Sequence, residues 1–179
     1  MKQAITSAAT SLNQVPAVLR LINKIARDPL AFWCYADSVL DYGGGKYDQL
    51  TEALAEMKVR NLIYDPFNRS KEHNALVRQL VKTRRTSHGI CSNVLNVIRE
   101  PAVRQKILRD MARWVEPGGN VFITVHEGDK SSKGKRTIKG WQSNRPAKNY
   151  MREIKKVFPY SYGSYWGSKA LIVCEVGRK

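Results

Sequence analysis

Two aspartates are the clearest candidates for ligand-binding residues in the sequence, because each ends a short apolar run. Asp41 ends the run that begins at Ser38 and is followed directly by Tyr42-Gly43-Gly44-Gly45. Asp65 ends a second run, 59–65, and lies 24 residues after Asp41. Glycines allow a main chain to approach a ligand closely, and the helix that follows presents free amide groups to it. The pattern therefore predicts a ligand-binding turn between a strand and a helix.

The spacing of the glycines excludes two common classes of nucleotide site. A phosphate-binding loop requires G-x-x-x-x-G-K-[ST], but here Tyr47 occupies the Ser/Thr place and the earlier glycine is missing. A dinucleotide fingerprint requires G-x-G-x-x-G, and Asp48 stands where its third glycine should be. What remains is an acid-x-Gly-x-Gly pattern, from Asp41 to Gly45.

The elements that must position these residues alternate between strands and helices, which indicates an α/β domain with a largely parallel sheet. Strands are predicted at 38–41, 59–65, 88–95, 120–125 and 170–176. Helices are predicted at 15–25, 30–36, 48–58, 71–82, 100–115 and 147–157, and the apolar stripe of the fourth is assigned to Leu76, Leu80 and Val81. A polar, basic loop is predicted at 127–146 and an aromatic stretch at 158–166. No apolar run is long enough for a membrane span, and no membrane partner is expected.

At the glycine turn the chain resembles the class I S-adenosylmethionine-dependent methyltransferases. The segment Val39-Leu40-Asp41-Tyr42-Gly43-Gly44-Gly45 is similar to their first motif, and 114–123 is similar to their helix, Pro-Gly-Gly turn and fifth strand. The resemblance implies a Rossmann-like fold, with a mostly parallel sheet of six or seven strands flanked by helices. It implies one domain, with residues 1–29 as a helical cap and 30–179 as the core. It also implies S-adenosylmethionine as the cofactor, Asp65 as the ligand of its ribose, and a cofactor site formed by Asp41, Tyr42, Gly43, Gly45, Asp65, Pro66, Ser92 and Asn93.

The chain departs from the family pattern at several positions. Tyr47 replaces the last glycine of the fuller motif, which predicts a narrower cofactor entrance. Only 26 residues separate Asp65 from Ser92, so the third strand is predicted to be short or absent, and its adenine-facing acid is not visible. The motif of amino-methylating DNA enzymes is missing, and so is the Pro-Cys nucleophile of cytosine-C5 enzymes, since Cys91 precedes Ser92 inside a strand.

No residue is identified as a catalyst, because methyl transfer to a good nucleophile needs mainly alignment and desolvation. Asn93 and Asn96 are candidates for orienting the acceptor, with capping of the next helix as the alternative. His126 is a candidate base after the fifth strand, with a solvated loop histidine as the alternative. The three cysteines have no metal spacing with the histidines, so no metal is expected; buried thiols and a cytoplasmic location are expected.

The net charge of +16, from 31 Lys and Arg against 15 Asp and Glu, is concentrated in the second half of the chain. Ten cations and a single acid, Glu153, lie between 130 and 156. A basic stripe that contains an aromatic residue suits a phosphate backbone with one stacked base. Alternatively the loop is solvated and Trp141 folds back onto the core. The predicted contact residues for nucleic acid or another substrate are Lys133, Lys135, Arg136, Lys139, Trp141 and Arg145.

Three functions are consistent with these patterns. The first is a methyltransferase that acts on nucleic acid, DNA or RNA, for which a homodimer or a partner protein is expected to add specificity. A second likeness agrees with it: Ser92–Pro101 and Gly128–Val157 are similar to methyltransferases associated with DNA phosphorothioation. The second function is a small-molecule methyltransferase whose charge serves solubility or an acidic metabolite. The third is a binding or regulatory protein that keeps the fold without the reaction.

Overall fold

The computed structural model describes residues 17–26, 28–137, 140–166 and 169–177. Its α-helices are α1 (Ala17–Ile25), α2 (Pro29–Cys34), α3 (Gln49–Glu56), α4 (Lys71–Thr83), α5 (Pro101–Trp114) and α6 (Met151–Ile154). Its strands are β1 (Ser38–Tyr42), β2 (Arg60–Tyr64), β3 (Thr86–Ser92), β4 (Val115–Thr124), β5 (Gly134–Thr137), β6 (Gly140–Ser143), β7 (Ser161–Trp166) and β8 (Lys169–Glu175). Short 3-10 helices occupy Leu95–Val97 and Ala147–Tyr150.

Six strands form the main sheet, in the order β2-β1-β3-β4-β8-β7. The first four are parallel, β8 pairs antiparallel with β4, and β7 pairs antiparallel with β8. Six or seven strands are predicted, with the family's third strand short or absent; the sheet has six, and between β2 and β3 the described chain contains only α4. The predicted α/β class with a mostly parallel sheet is confirmed.

Helices cover both faces of the sheet because its parallel strands are apolar on both sides. One face packs against α4, α5 and α6 through a cluster that includes Val77, Ile107 and Ile154. The other packs against α1, α2 and α3 through a cluster that includes Ile22 and Trp33. Among the helices that the structure describes, none has the length and apolar character needed to cross a lipid bilayer.

The predicted apolar stripe of α4 is wrong at one position. Leu76 is 55% exposed, whereas Val77 and Val81 are buried together with the polar Asn74. The helix is rotated in this way because the Asn74 side chain hydrogen-bonds to the main chain of the loop after β2. One polar contact thus overrides a hydrophobic pattern that sequence reading favours.

The segment 127–146 also differs from prediction, because it is not entirely a loop. Strands β5 and β6 form an antiparallel hairpin that is separate from the main sheet, and β6 lies against the 3-10 helix Leu95–Val97. All four residues of β5 are exposed, so the hairpin leaves no alternation of apolar residues in the sequence. The hairpin brings the basic segment over the residues that follow β3.

The cysteines follow the prediction where the structure describes them. Cys91 and Cys174 are free and buried, and burial raises the pKa of both thiols. The side chain of Cys34 lies outside the described residues, as does Val15 of the predicted first helix.

Candidate functional site

The candidate site lies where the parallel strands end. Asp41 is the penultimate residue of β1, Asp65 follows β2, and Ser92 and Thr124 close β3 and β4. Because the chain runs from β1 to β2 on one side and returns to β3 on the other, a crevice opens at this edge between β1 and β3. In open α/β sheets such a switch point is the usual place for a ligand. The sheet therefore gathers the predicted site residues at one edge.

The glycine turn crosses this crevice in close contact with its surroundings. Gly43 has a φ of +78°, and a Cβ added to it would lie 2.5 Å from Val94 Cγ2. A Cβ added to Gly44 would lie 2.1 Å from Asp41 Oδ2. Gly43 thus joins the turn to the segment after β3, and Gly44 allows the Asp41 carboxylate to sit directly against the main chain. Only glycine fits either position without displacing a neighbour.

Asp41 is a buried carboxyl group, 3% exposed. Burial raises its pKa from the ordinary 3.8 to about 7; Asn61 and the guanidinium of Arg69 lower it, while the nearby Asp65 raises it further. The balance shows that the protein supplies too little positive charge to stabilise the carboxylate. A cationic group bound beside the turn would supply the missing charge.

Asp65 is equally buried, at 3% exposed, but its carboxylate is saturated with hydrogen bonds. The N–H groups of Phe67 and Asn68 donate to Oδ1 over 2.9 and 3.0 Å. The N–H of Gly45 and the Nδ2 amide of Asn68 donate to Oδ2 over 2.9 and 3.0 Å. A carboxylate offers about four acceptor positions, so all are occupied. A ribose hydroxyl can therefore bind Asp65 only by replacing a donor, and Asn68 Nδ2 is the side-chain donor of the four.

Arg69 braces the glycine turn from the same loop, a role that sequence reading missed. Its guanidinium donates to the carbonyl of Gly45 at 2.8 Å, to the carbonyl of Tyr47 at 3.2 Å and to the Asp48 carboxylate at 2.7 Å. Asn74 anchors the loop in turn, because its amide oxygen accepts from the N–H of Asp65 and its Nδ2 donates to the Asp65 carbonyl. The available signal was Asp65-Pro66-Phe67-Asn68-Arg69, whose Pro and Asn are turn formers and whose charged ends flank them.

The remaining predicted cofactor residues divide into two groups. The ring of Tyr42 packs in the core against Tyr64 and Trp114, with centroids at 5.0 and 6.0 Å, which leaves only its main chain for a ligand. Pro66 is exposed beside Asp65, and the next side chain, Phe67, is 55% exposed, an aromatic surface that sequence reading did not select. Tyr47 is partly exposed after the turn, and the narrower cofactor entrance stays a prediction.

The segment after β3 forms the second half of the site. Ser92 Oγ lies 3.0 Å from Thr124 Oγ1, and the N–H of Asn93 donates to the Thr124 carbonyl. Asn93 is exposed and has a left-handed φ of +57°. Asn96 is 2% exposed; its Nδ2 donates to Gln142 Oε1 of the hairpin at 3.2 Å, and its buried Oδ1 has no hydrogen-bond partner among the described residues. The two candidate asparagines therefore differ, since one faces solvent and the other is enclosed by the hairpin.

The histidines do not form a catalytic group with these residues. His126 is exposed after β4, and its carbonyl accepts from Gln142 Nε2. His88 lies earlier on β3, where its Nδ1 accepts from the N–H of Asn120 and burial lowers its pKa to about 4. His73 is bound to the Ile63 carbonyl at 2.8 Å. His126 remains a candidate by position only.

The basic residues predicted to bind a substrate are in unlike environments. Lys133, Lys135 and Arg136 are exposed on or next to β5, whereas Lys139 lies outside the described residues. Arg145 is bound to Glu153 at 2.8 Å and lies over the Tyr150 ring, so its charge is already compensated. Trp141 contacts Arg99, and a Cβ added to Gly134 would lie 1.9 Å from Trp141 Cζ2. The indole is thus folded onto the hairpin and the segment after β3.

Solved structures similar to this chain share its fold. A Burkholderia thailandensis 1,6-didemethyltoxoflavin-N1-methyltransferase, bound to 1,6-didemethyltoxoflavin and S-adenosylhomocysteine, matches 90% of this chain and 79% of its own at 15% identity, with a TM-score of 0.63. The glycopeptide N-methyltransferase MtfA matches 93% of this chain and 98% of its own at 11% identity, with a TM-score of 0.62. A structure of MtfA in complex with S-adenosylmethionine matches 90% of this chain and 92% of its own at 11% identity, with a TM-score of 0.59. This chain has the class I methyltransferase fold.

No protein-family model matches the chain, and a search of the curated proteins found no match. The methyltransferase fold agrees with the first sequence resemblance, which rested on the glycine turn and Asp65. At 10–15% identity the similar structures indicate the fold and leave the acceptor open.

Proposed function

We propose that this chain is an S-adenosylmethionine-dependent methyltransferase that acts on a small molecule. One observation carries the proposal: the undercompensated carboxylate of Asp41 lies against the glycine turn, at the switch point of a sheet with the methyltransferase strand order. A cationic amino-acid ligand would complete this site. The similar structures with bound S-adenosylmethionine or S-adenosylhomocysteine support the same ligand, and their names refer to toxoflavin and glycopeptide acceptors.

The chain's own residues divide the binding task. Asp41 faces the cationic methionine part, and the turn from Gly43 to Gly45 provides the main-chain surface on which it lies. Asp65 would hold the ribose hydroxyls if they took the place of Asn68 Nδ2, while the three main-chain donors keep the carboxylate fixed. When bound, S-adenosylmethionine supplies an electrophilic methyl group on its sulfonium.

The segment after β3 positions the acceptor for attack on that methyl group. Val94 packs against Gly43 and excludes water between the turn and the segment. Asn93, which is exposed one residue after β3, orients the nucleophile, and the enclosed Asn96 holds the segment in place through its hydrogen bond to Gln142. Alignment and exclusion of water account for the rate when the nucleophile is an unprotonated amine, which attacks the methyl group with its lone pair and afterwards releases its proton to solvent.

Calorimetry with S-adenosylhomocysteine tests the cofactor site. Asp41→Asn should weaken binding about 10- to 100-fold, as expected for the loss of a charge-assisted interaction. The matched control is Asp37→Asn, an exposed carboxylate paired with Arg84, which should bind as the wild type does. Absence of binding to the wild type, or equal affinity in both variants, would reject the proposal.

A second candidate function, methyl transfer to nucleic acid, is favoured by one observation. Lys133 and Lys135 are exposed on the segment that lies over the acceptor side of the site. The discriminating measurement is transfer of a labelled methyl group from S-adenosylmethionine to DNA, RNA and a dialysable small-molecule fraction. Label in the small-molecule fraction supports the first function, and label in nucleic acid supports the second. Binding to nucleic acid should in that case fall steeply with salt.

A further inference from the structure

Three arginines near the acceptor side differ in how their charge is compensated. Arg104 donates to both oxygens of Glu153 at 2.7 and 2.9 Å, and Arg145 donates to the same carboxylate at 2.8 Å. Arg99, which ends the segment after β3, is exposed and has no carboxylate partner within the described ranges. The residues outside those ranges include no Asp or Glu. One acid thus serves two arginines and leaves the third with an uncompensated charge.

The uncompensated guanidinium is nevertheless held in place. Arg99 Cζ lies 5.1 Å from the centroid of the Trp141 ring, a distance at which a cation is attracted to an aromatic face. Trp141 is fixed by its contact with Gly134 and by the pairing of β5 with β6. The main chain is fixed too, because the Arg99 carbonyl accepts from Arg104 Nη1 at 2.8 Å. Such an arginine is preorganised, so little side-chain entropy is lost when it binds a ligand.

A guanidinium held over an aromatic face keeps its N–H edge available for an oxyanion. That edge donates two parallel hydrogen bonds to a carboxylate or phosphate, a geometry that lysine cannot match. Arg136 is the cross-strand neighbour of Trp141, so a second cationic residue is on the same face of the hairpin. The uncompensated charge of Arg99 by itself favours an anion at that edge.

The location connects this cation to the acceptor. Arg99 belongs to the segment that starts at Ser92, touches the glycine turn through Val94 and lies under the hairpin through its 3-10 helix. We infer that Arg99, stacked on Trp141, forms a subsite for a carboxylate or phosphate group on a small-molecule acceptor. The inference rests on the proposed methyltransferase function and adds the chemical class of its substrate.

Nuclear magnetic resonance of the protein saturated with S-adenosylhomocysteine tests the subsite. Phenyl phosphate and benzoate serve as anionic probes, and phenol serves as their neutral counterpart. We expect an anionic probe to shift the Arg99 Nε–H and Trp141 Nε1–H signals while phenol leaves both unchanged. The anion that binds more tightly identifies the group, phosphate or carboxylate. If neither anion shifts these signals, the inference is overturned.

Substitutions distinguish specific binding of an anion at Arg99 from its attraction by the net positive charge of the protein. Arg99→Gln should weaken binding of the tighter anion at least tenfold. Arg99→Lys keeps the charge but cannot donate two parallel hydrogen bonds, so it should weaken binding almost as much. The control is Arg78→Gln on the exposed face of α4, which removes the same charge and should change nothing. Equal weakening in the Arg99 and Arg78 variants would show attraction by net charge alone and overturn the inference.

Two further outcomes complete the test. Repeating the titration without S-adenosylhomocysteine distinguishes the two proposals, because anion binding at Arg99 can persist when S-adenosylhomocysteine does not bind. Persistence without any cofactor binding would reject the methyltransferase function and keep the anion site. A single-stranded oligonucleotide that binds through Arg99 more than a hundredfold more tightly than phenyl phosphate would overturn the assignment to small molecules.

Discussion

The two halves of the site are built differently. Four hydrogen bonds between 2.7 and 3.2 Å join residues 45–48 to Asp65 and Arg69 of the loop after β2. Three more within that loop fix the Asp65 carboxylate. Among the described residues, the contacts of the hairpin with the segment after β3 include the amide pair of Asn96 with Gln142 and the Arg99 guanidinium over the Trp141 ring. Asn96 keeps a buried acceptor unsatisfied there. The first half is formed before a ligand arrives, and the second has polar groups left to satisfy.

This difference agrees with the proposed function, in which one cosubstrate and a separate acceptor bind to the two halves. Hydrogen bonds that fix a turn lower the entropic cost of binding the ligand that fits it. Unpaired polar groups and uncompensated cations instead raise the affinity for an acceptor that pairs with them and lower it for one that leaves them unpaired. The comparison predicts that substitutions in the first half disturb folding and cofactor binding together, whereas those in the second half affect the acceptor.

The largest effect is expected from Asp65→Ala. The variant leaves the N–H groups of Gly45, Phe67 and Asn68 without their acceptor, and each unpaired donor costs about 1 to 3 kcal/mol. We expect the free energy of unfolding to fall by about 3 to 5 kcal/mol, and the affinity for S-adenosylhomocysteine about 100-fold. Urea denaturation and calorimetry measure the two quantities. Asp37→Ala, at an exposed ion pair, is the control and should cost less than about 1 kcal/mol.

The second effect concerns pH and Asp41. Its pKa is 3.8 ordinarily and about 7 in the folded protein, so its contribution to stability is complete below pH 4 and is lost as the pH rises through 7. Asp41→Asn has no carboxyl group to ionise, so it should raise the free energy of unfolding at pH 8 by on the order of 3 kcal/mol. The same substitution should weaken cofactor binding. At pH 4 the two proteins should be equally stable. Parallel stability curves from pH 4 to 8 would contradict the shifted pKa.

The smallest effect is expected from Asn96→Ala in the second half. The variant loses the hydrogen bond to Gln142 but also removes the unsatisfied Oδ1, so the free energy of unfolding should change by less than about 1 kcal/mol. Affinity for S-adenosylhomocysteine should stay within about twofold, while methyl transfer falls several-fold. Asn149→Ala, an exposed amide bonded to Ser132, is the matched control. A large loss of cofactor affinity in Asn96→Ala would erase the distinction between the two halves.

Much of the fold could be predicted because its signals are local. The alternation of apolar strands and helices, the glycine turn and the strand-end acids all lie within short stretches of sequence, and their positions agree with the structure to within a few residues. The hairpin was missed because exposed four-residue strands bury no alternating face. Leu76 was misassigned because the burial of Asn74 depends on a loop that the helix pattern does not contain.

The sequence by itself determined which residues stand at the ends of the strands, and therefore where the candidate site lies. Only the tertiary structure decided what those residues touch. Asp65 is saturated by donors that include Gly45, twenty positions away, and Arg99 is stacked on Trp141, a contact between the segment after β3 and a hairpin that follows β4. Such pairings depend on the order of the strands in the sheet and on the competition of several cations for one acid, Glu153. Neither is a property of any one stretch of the chain.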